Sequence, residues 1–251
     1  MYAANPFTNL TVFLSPLFMQ VYIVLMIIAV AAGTVYDLIT GRKTQYFSEH
    51  RAKARSRATR RLSGGKAIAI VAKTFFTEIA VSGEFDNRER RISHLLMLYG
   101  FVFYLLTTII MIFAYPTDIH TPVVLPVFWN LGALMVLVGG SWFFFYLRVN
   151  VAYDGDSKFK LIYADVFIVS LVLGALFALI LELTEVSQNS TAIQVVFIFY
   201  ILFTTILFVS VPWSKFSHMF YKPSVAIQRK LEDASGSSDL PSPYNGPRGG
   251  V

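Results

Sequence analysis

Five stretches of apolar residues, each long enough to cross a bilayer as a helix, set what this chain can fold into. They cover roughly 11–36, 93–115, 124–147, 159–183 and 191–212. A spanning helix needs about 20 apolar residues, and in hydrocarbon its backbone groups must be satisfied within the segment itself. The predicted fold is an all-α membrane protein, a bundle of five transmembrane helices. Composition agrees, because 55% of the 251 residues are hydrophobic and only 14% are charged, too few charges for a soluble domain of this size. The chain has no cysteine, which excludes iron–sulfur clusters, disulfides and thiolate chemistry within it.

Charge orients the bundle. The links at 116–123 and 184–190 hold no Lys or Arg, whereas thirteen of the 21 basic residues fall in 37–93, three in 148–160 and five in 213–251. Basic residues gather in cytoplasmic loops, so the N-terminus is expected outside and the C-terminus in the cytoplasm. The expected location is the cell's inner (cytoplasmic) membrane, crossed several times. The first ten residues lack the basic region of a cleavable signal, so the first span is expected to be retained.

Four segments follow: 1–36, the first transmembrane helix; 37–92, a basic cytoplasmic loop with an interfacial helix; 93–220, a four-helix membrane core; and 221–251, a cytoplasmic tail, largely disordered. The basic run 41–65 has Arg or Lys at every second or third position in its central part. Its first reading is a topogenic loop that touches anionic membrane lipid, its second a dock for an acidic partner subunit. Nucleic acid is not an expected partner, because interleaved aromatics are almost absent. Residues 66–83, apolar but interrupted by Lys73 and Glu78, read as a helix lying along the cytoplasmic interface. The Ser-, Pro- and Gly-rich sequence from about 232 reads as disordered.

Within the core, the residues that carry chemistry are histidines. His50 in the basic loop and His120 in an outer link read as solvated. His94 lies one turn inside the second span, and His218 lies at the cytoplasmic end of the fifth, past a kink at Pro212. The charge-derived topology puts both at the same membrane depth. Singly, each reads as an interfacial residue bonded to backbone or lipid. Together, two neutral imidazoles facing each other from apolar helices are the axial ligand set of a haem b, with the iron as the metal. Gly100 is expected to let a porphyrin face approach, and Arg90, Arg91, Lys215 and Lys222 supply cations where propionates would emerge. Every cytoplasmic helix end is basic, so those cations have an ordinary topogenic reading as well. The small residues at 139–141 are expected to allow close helix packing. Asp165, ionisable and inside the fourth span, is expected to bond a facing helix or Arg148, with a proton relay near a quinone as the alternative. Glu182 and Glu185 read as solvated at the outer boundary.

Span two (RRISHLLMLYGFVFYLLTTI), the ADVFIVSLVLG start of span four and the SKFSHMFYKP end of span five resemble the respiratory nitrate reductase gamma-subunit superfamily. Its members include membrane cytochrome b subunits of heterodisulfide reductases and of Qmo- and Dsr-type complexes, and the anchor associated with adenylylsulfate reductase. The resemblance covers about 90–220. It implies an electron-transfer subunit of an oxidoreductase complex, not a catalyst on its own. Such a subunit joins a cytoplasmic redox enzyme, with an iron–sulfur or flavin centre, to the quinone pool. The pattern also implies a second histidine pair for a second haem, at positions occupied here by Tyr104 and Tyr200. One haem b is therefore expected, held by His94 and His218, with the two tyrosines filling the vacated volume and pairing their hydroxyls. The broken two-haem pattern favours a sulfur-metabolism partner such as adenylylsulfate reductase over nitrate reductase. A haem-free membrane anchor for a cytoplasmic enzyme is the alternative. A small transporter is a weaker one, since no halves of the chain repeat and no span is broken in mid-membrane.

Overall fold

The computed structural model describes residues 5–40, 42–83, 85, 87–117, 120–148, 159, 161–162, 165–186, 189–211 and 218–238. All regular structure among them is helical. Eight α-helices occur: α1 (Pro16–Thr40), α2 (Arg42–Arg57), α3 (Gly64–Thr74), α4 (Arg88–Ala114), α5 (Val124–Trp142), α6 (Val166–Val186), α7 (Ser190–Ser210) and α8 (His218–Ser235). Five helices are long and apolar enough to cross a membrane: Pro16–Asp37, Arg88–Ala114, Val124–Leu147, Val166–Thr184 and Ser190–Ser210. The chain is a multi-pass membrane protein.

Helix ends follow local chemistry more closely than hydropathy. Pro16 opens α1 because the N–H it lacks is one that a first turn leaves unpaired anyway. The apolar residues before it form a short 3-10 turn (Asn9–Val12) that buries Leu10. Asn87 starts α4 ahead of the apolar run, its side chain accepting from Glu89 N at 2.9 Å and Arg90 N at 3.1 Å. Asn189 caps α7 through Ala192 N at 3.1 Å.

Two compact units divide the chain. The first comprises Met1–Thr34 and Phe85–Phe216. Inside it, α4 packs on α5, α5 on α6 and α6 on α7. Met111, Trp129, Ala133, Val136, Ala178 and Leu181 form the driest part of the core. Glycines set how close α4 and α5 come. A Cβ on Gly132 would meet Tyr104 N at 2.6 Å and Gly100 O at 2.7 Å, and one on Gly100 would meet Gly132 O at 2.9 Å. The two backbones touch where neither residue has a side chain, the close-approach mode of membrane helices. Gly139 repeats it one end along, against Leu96 and the Ser93 carbonyl, and Ser93 Oγ donates to Gly139 O at 2.9 Å.

Helix α1 is the least buried of the spans and docks through long polar side chains. Gln20 Nε2 donates to Ile112 O at 3.2 Å, and Tyr22 Oη meets Thr204 Oγ1 at 2.9 Å and Thr205 Oγ1 at 3.0 Å. Before it, the segment from Asn5 lies over one end of the bundle. Asn5 Nδ2 donates to Tyr115 O at 3.1 Å, and the Phe7 ring meets Trp129 edge-on at 5.9 Å.

The second unit comprises Val35–Glu84 and Ser217–Val251. Here the outcome differs from the expectation of a loop and a loose tail. The basic run is a regular helix, α2. The apolar segment after it is α3 with a π turn (Phe75–Ala80), and both pack on α8, which continues to Ser235. The same pairing explains why 232–235 are helical: the end of α8 is held from the other half of the unit. Thr59 N and Arg60 N both donate to Ser235 O at 3.1 Å, and Lys230 Nζ pairs with Glu78 at 3.1 Å. Gly236, at φ +68°, ends α8 in the left-handed conformation that glycine adopts without steric cost. Residues 239–251, expected to be disordered, lie outside the described residues.

Candidate functional site

His94 sits in the second turn of α4, half-buried, with its ring centroid 5.0 Å from that of Phe85. Ser93 beside it is fully buried against α5, so the turn of the helix puts His94 on the flank. That flank carries Ile112 five turns further on, where the backbone takes the Gln20 bond from α1. The imidazole is thus partly out of water and lies against an aromatic ring.

His218 belongs to a different element from the one expected. Helix α7 ends at Ser210, and His218 is the first residue of α8 in the second unit, not the end of the fifth span. Tyr200 and His218 therefore lie on different helices, α7 and α8. The side chains of His218 and Lys222, and all of Pro212 and Lys215, lie outside the described residues.

Gly100 does not serve a porphyrin. Its open side is filled by α5, with Met135 Cβ and Gly132 O where a Cβ would stand. Of the candidate propionate cations, Arg90 commits one guanidinium nitrogen to Leu147 O at 3.1 Å, which fastens the start of α4 to the π turn (Phe143–Leu147) that prolongs α5. Arg91 is half-buried on the next position of α4. The glycine approach expected for a porphyrin is thus taken by α5.

Tyr104 and Tyr200, the two positions that the resemblance pairs, come together inside the first unit. Both are buried and their hydroxyls are neighbours, though Tyr104 Oη has no partner in ordinary hydrogen-bond geometry. Trp129 lies on Tyr104 with ring centroids 5.4 Å apart, and donates its indole N–H to Thr108 Oγ1 at 2.9 Å. Phe197 adjoins Tyr200 at 6.2 Å. The volume between α4 and α7 at this level is occupied by aromatic side chains.

Asp165 bonds Arg148, as expected. The pair is buried, with side chains 2% and 5% exposed, and Asp165 also accepts from Ile162 N at 3.1 Å. The Arg148 guanidinium lies 4.4 Å above the Phe144 ring. Asp165 thereby ties the start of α6 to the end of the α5 π turn. Glu182 departs from its expectation, since it is half-buried beside the buried Asn130 of α5. Glu185 has its side chain outside the described residues. His120 is exposed, while His50 Nδ1 lies 3.8 Å from Glu232 in the second unit.

Sequence reasoning missed three polar contacts between membrane helices: Tyr22 with Thr204 and Thr205, Trp129 with Thr108, and Asn130 with Glu182. Asn130 stood out as a polar residue within an apolar run, and its partner followed from no spacing. In comparisons with family models, with curated proteins and with solved structures, none matches the chain.

Proposed function

We propose that the chain is a membrane-anchoring cytochrome b subunit of the nitrate reductase gamma-subunit-like type. It holds one haem b through His94 and His218 and joins a cytoplasmic redox enzyme to the quinone pool. The partner carries an iron–sulfur or flavin centre, with adenylylsulfate reductase or another sulfur-metabolism oxidoreductase as the leading class. The membrane is the cell's inner membrane, with the C-terminus in the cytoplasm.

The observation that carries the reading is the meeting of Tyr104 with Tyr200. These are the positions that the resemblance pairs, ten residues after His94 and eighteen before His218. Their proximity supports the pairing of Tyr104 with Tyr200 that the resemblance implies. It also accounts for a single haem, since aromatic side chains fill the second position. In this reading His94 and His218 bind as neutral imidazoles, and Phe85 keeps the His94 ring in an apolar setting. The haem supplies one-electron redox chemistry, and burial by the surrounding helices tunes its potential.

The test is a pyridine haemochrome assay on purified protein, wild type beside His94→Ala and His218→Ala. One haem b per chain, lost in both variants, is expected. Its absence from well-folded wild-type protein overturns the reading in favour of the haem-free anchor.

A further inference from the structure

The second unit carries an apolar face that no described residue covers, and two thirds of the chain's Lys and Arg. Helix α3 and its π turn have two unlike sides. Ala67, Ile70, Thr74 and Glu78 recur every three to four residues on the side that packs on α8. Away from it lie Ile68, Phe75 and Phe76, which are 71%, 51% and 65% exposed. Lys66 and Lys73, a turn-pair spacing of seven, run along the edge of that apolar stripe. The π turn widens the helix at the point where Phe75 and Phe76 emerge, so both rings stand on the outer side, edge to face at 5.9 Å.

Charge decides what fits this face. The second unit holds fourteen Lys and Arg against seven Asp and Glu, whereas the first holds seven against eight. Arg51, Lys53, Arg55 and Arg57 of α2 are exposed as well. A bare apolar stripe would suit any hydrophobic partner. A stripe edged by lysines, on a unit of net charge +7, suits a surface that is apolar in depth and negative at its rim. In the chain the segment lies between two spanning helices, α1 ending at Thr40 and α4 beginning at Arg88.

We infer that α3 and its π turn insert Ile68, Phe75 and Phe76 into the head-group boundary of an anionic bilayer, with Lys66 and Lys73 bonding lipid phosphates. The inference is independent of the haem reading.

The absence of cysteine makes the test direct. Full-length protein with a nitroxide on Ile68→Cys, Phe76→Cys or, as a control on α2, Ser56→Cys is placed in nanodiscs of phosphatidylcholine alone or mixed with phosphatidylglycerol. Collision with oxygen reports the bilayer, and collision with a water-soluble nickel chelate reports water. At residues 68 and 76, oxygen should dominate in the anionic discs and the nickel chelate in the neutral ones, with residue 56 in water throughout. Raising salt to about 1 M, where screening acts within about 3 Å, should return both labels to water. Lys66→Gln with Lys73→Gln should do the same at low salt without touching the labelled face. Labels in water in both lipids would overturn the inference and leave the face to a protein partner. Labels immersed equally in both would overturn the requirement for anionic lipid.

Discussion

Arg148 and Asp165 are a buried pair whose partners come from opposite sides of a loop, and neither tolerates loss of the other. Removing one leaves a charge in a dry site, at a cost of about 3–5 kcal/mol. Asp165→Ala should therefore lower the thermal midpoint in detergent far more than Glu89→Ala, a substitution at the exposed start of α4. Replacing both Arg148 and Asp165 by apolar residues should recover much of the loss. Gly132 tests packing in the same way. Its Cβ has only backbone within reach, so Gly132→Ala requires α4 and α5 to part, and overpacking of this kind costs about 1–3 kcal/mol. Differential scanning fluorimetry of the two variants ranks charge against close approach. Gly100 marks the limit of reading single residues: a missing side chain admits a cofactor or a neighbouring helix equally well, and only the opposing surface decides. Asp165 was legible because an ionisable residue inside an apolar run demands a partner, and Arg148 stands at the end of the preceding span.

At the scale of elements, the five spans were legible from hydropathy, since about 20 apolar residues admit few other fates in a chain of this composition. Their ends were less so. Pro16 and the Asn87 cap moved two boundaries by about five residues, because a cap acts through one hydrogen bond and hydropathy averages over a whole window. The contact of Tyr104 with Tyr200 makes a further prediction. Trp129 and Phe197 press on these tyrosines, so restoring both ligands leaves no room for a porphyrin. Tyr104→His with Tyr200→His should therefore leave the haem content per chain unchanged in the haemochrome assay. A gain of one haem would mean that ligands alone, not volume, set the count. In the second unit, Gly236→Ala forces a Cβ to 2.4 Å from Thr59 Oγ1 at a left-handed φ, at a cost of about 1 kcal/mol. Hydrogen exchange should quicken at residues 59–60 and 232–237 together, because one contact serves both segments.

For the whole molecule, the charge pattern predicts sidedness. Thr11→Cys and Ser56→Cys, each alone in the cysteine-free chain, should react with a membrane-impermeant maleimide from opposite faces of sealed vesicles. Residue 11 should label from outside and residue 56 from the cytoplasmic side. Labelling of both from one face would place the basic residues against the rule. The second unit was the part least legible from sequence. Its halves, 35–84 and 217–251, are separated by four spans, and each alone reads as a charged linker or a tail. The information lay in a pairing of distant segments, which no local period reports.

That pairing has a consequence for how the protein is made. Helix α8 is synthesised after all five spans, yet α3, synthesised before four of them, has it as a packing partner. Until then Ala67, Ile70 and Thr74 stay uncovered. The clasp between Thr59 and Ser235 thus closes only on a chain whose spans have all been translated. A product truncated within the bundle would present α3 with both faces bare, a hydrophobic flag for quality control that the finished protein no longer displays.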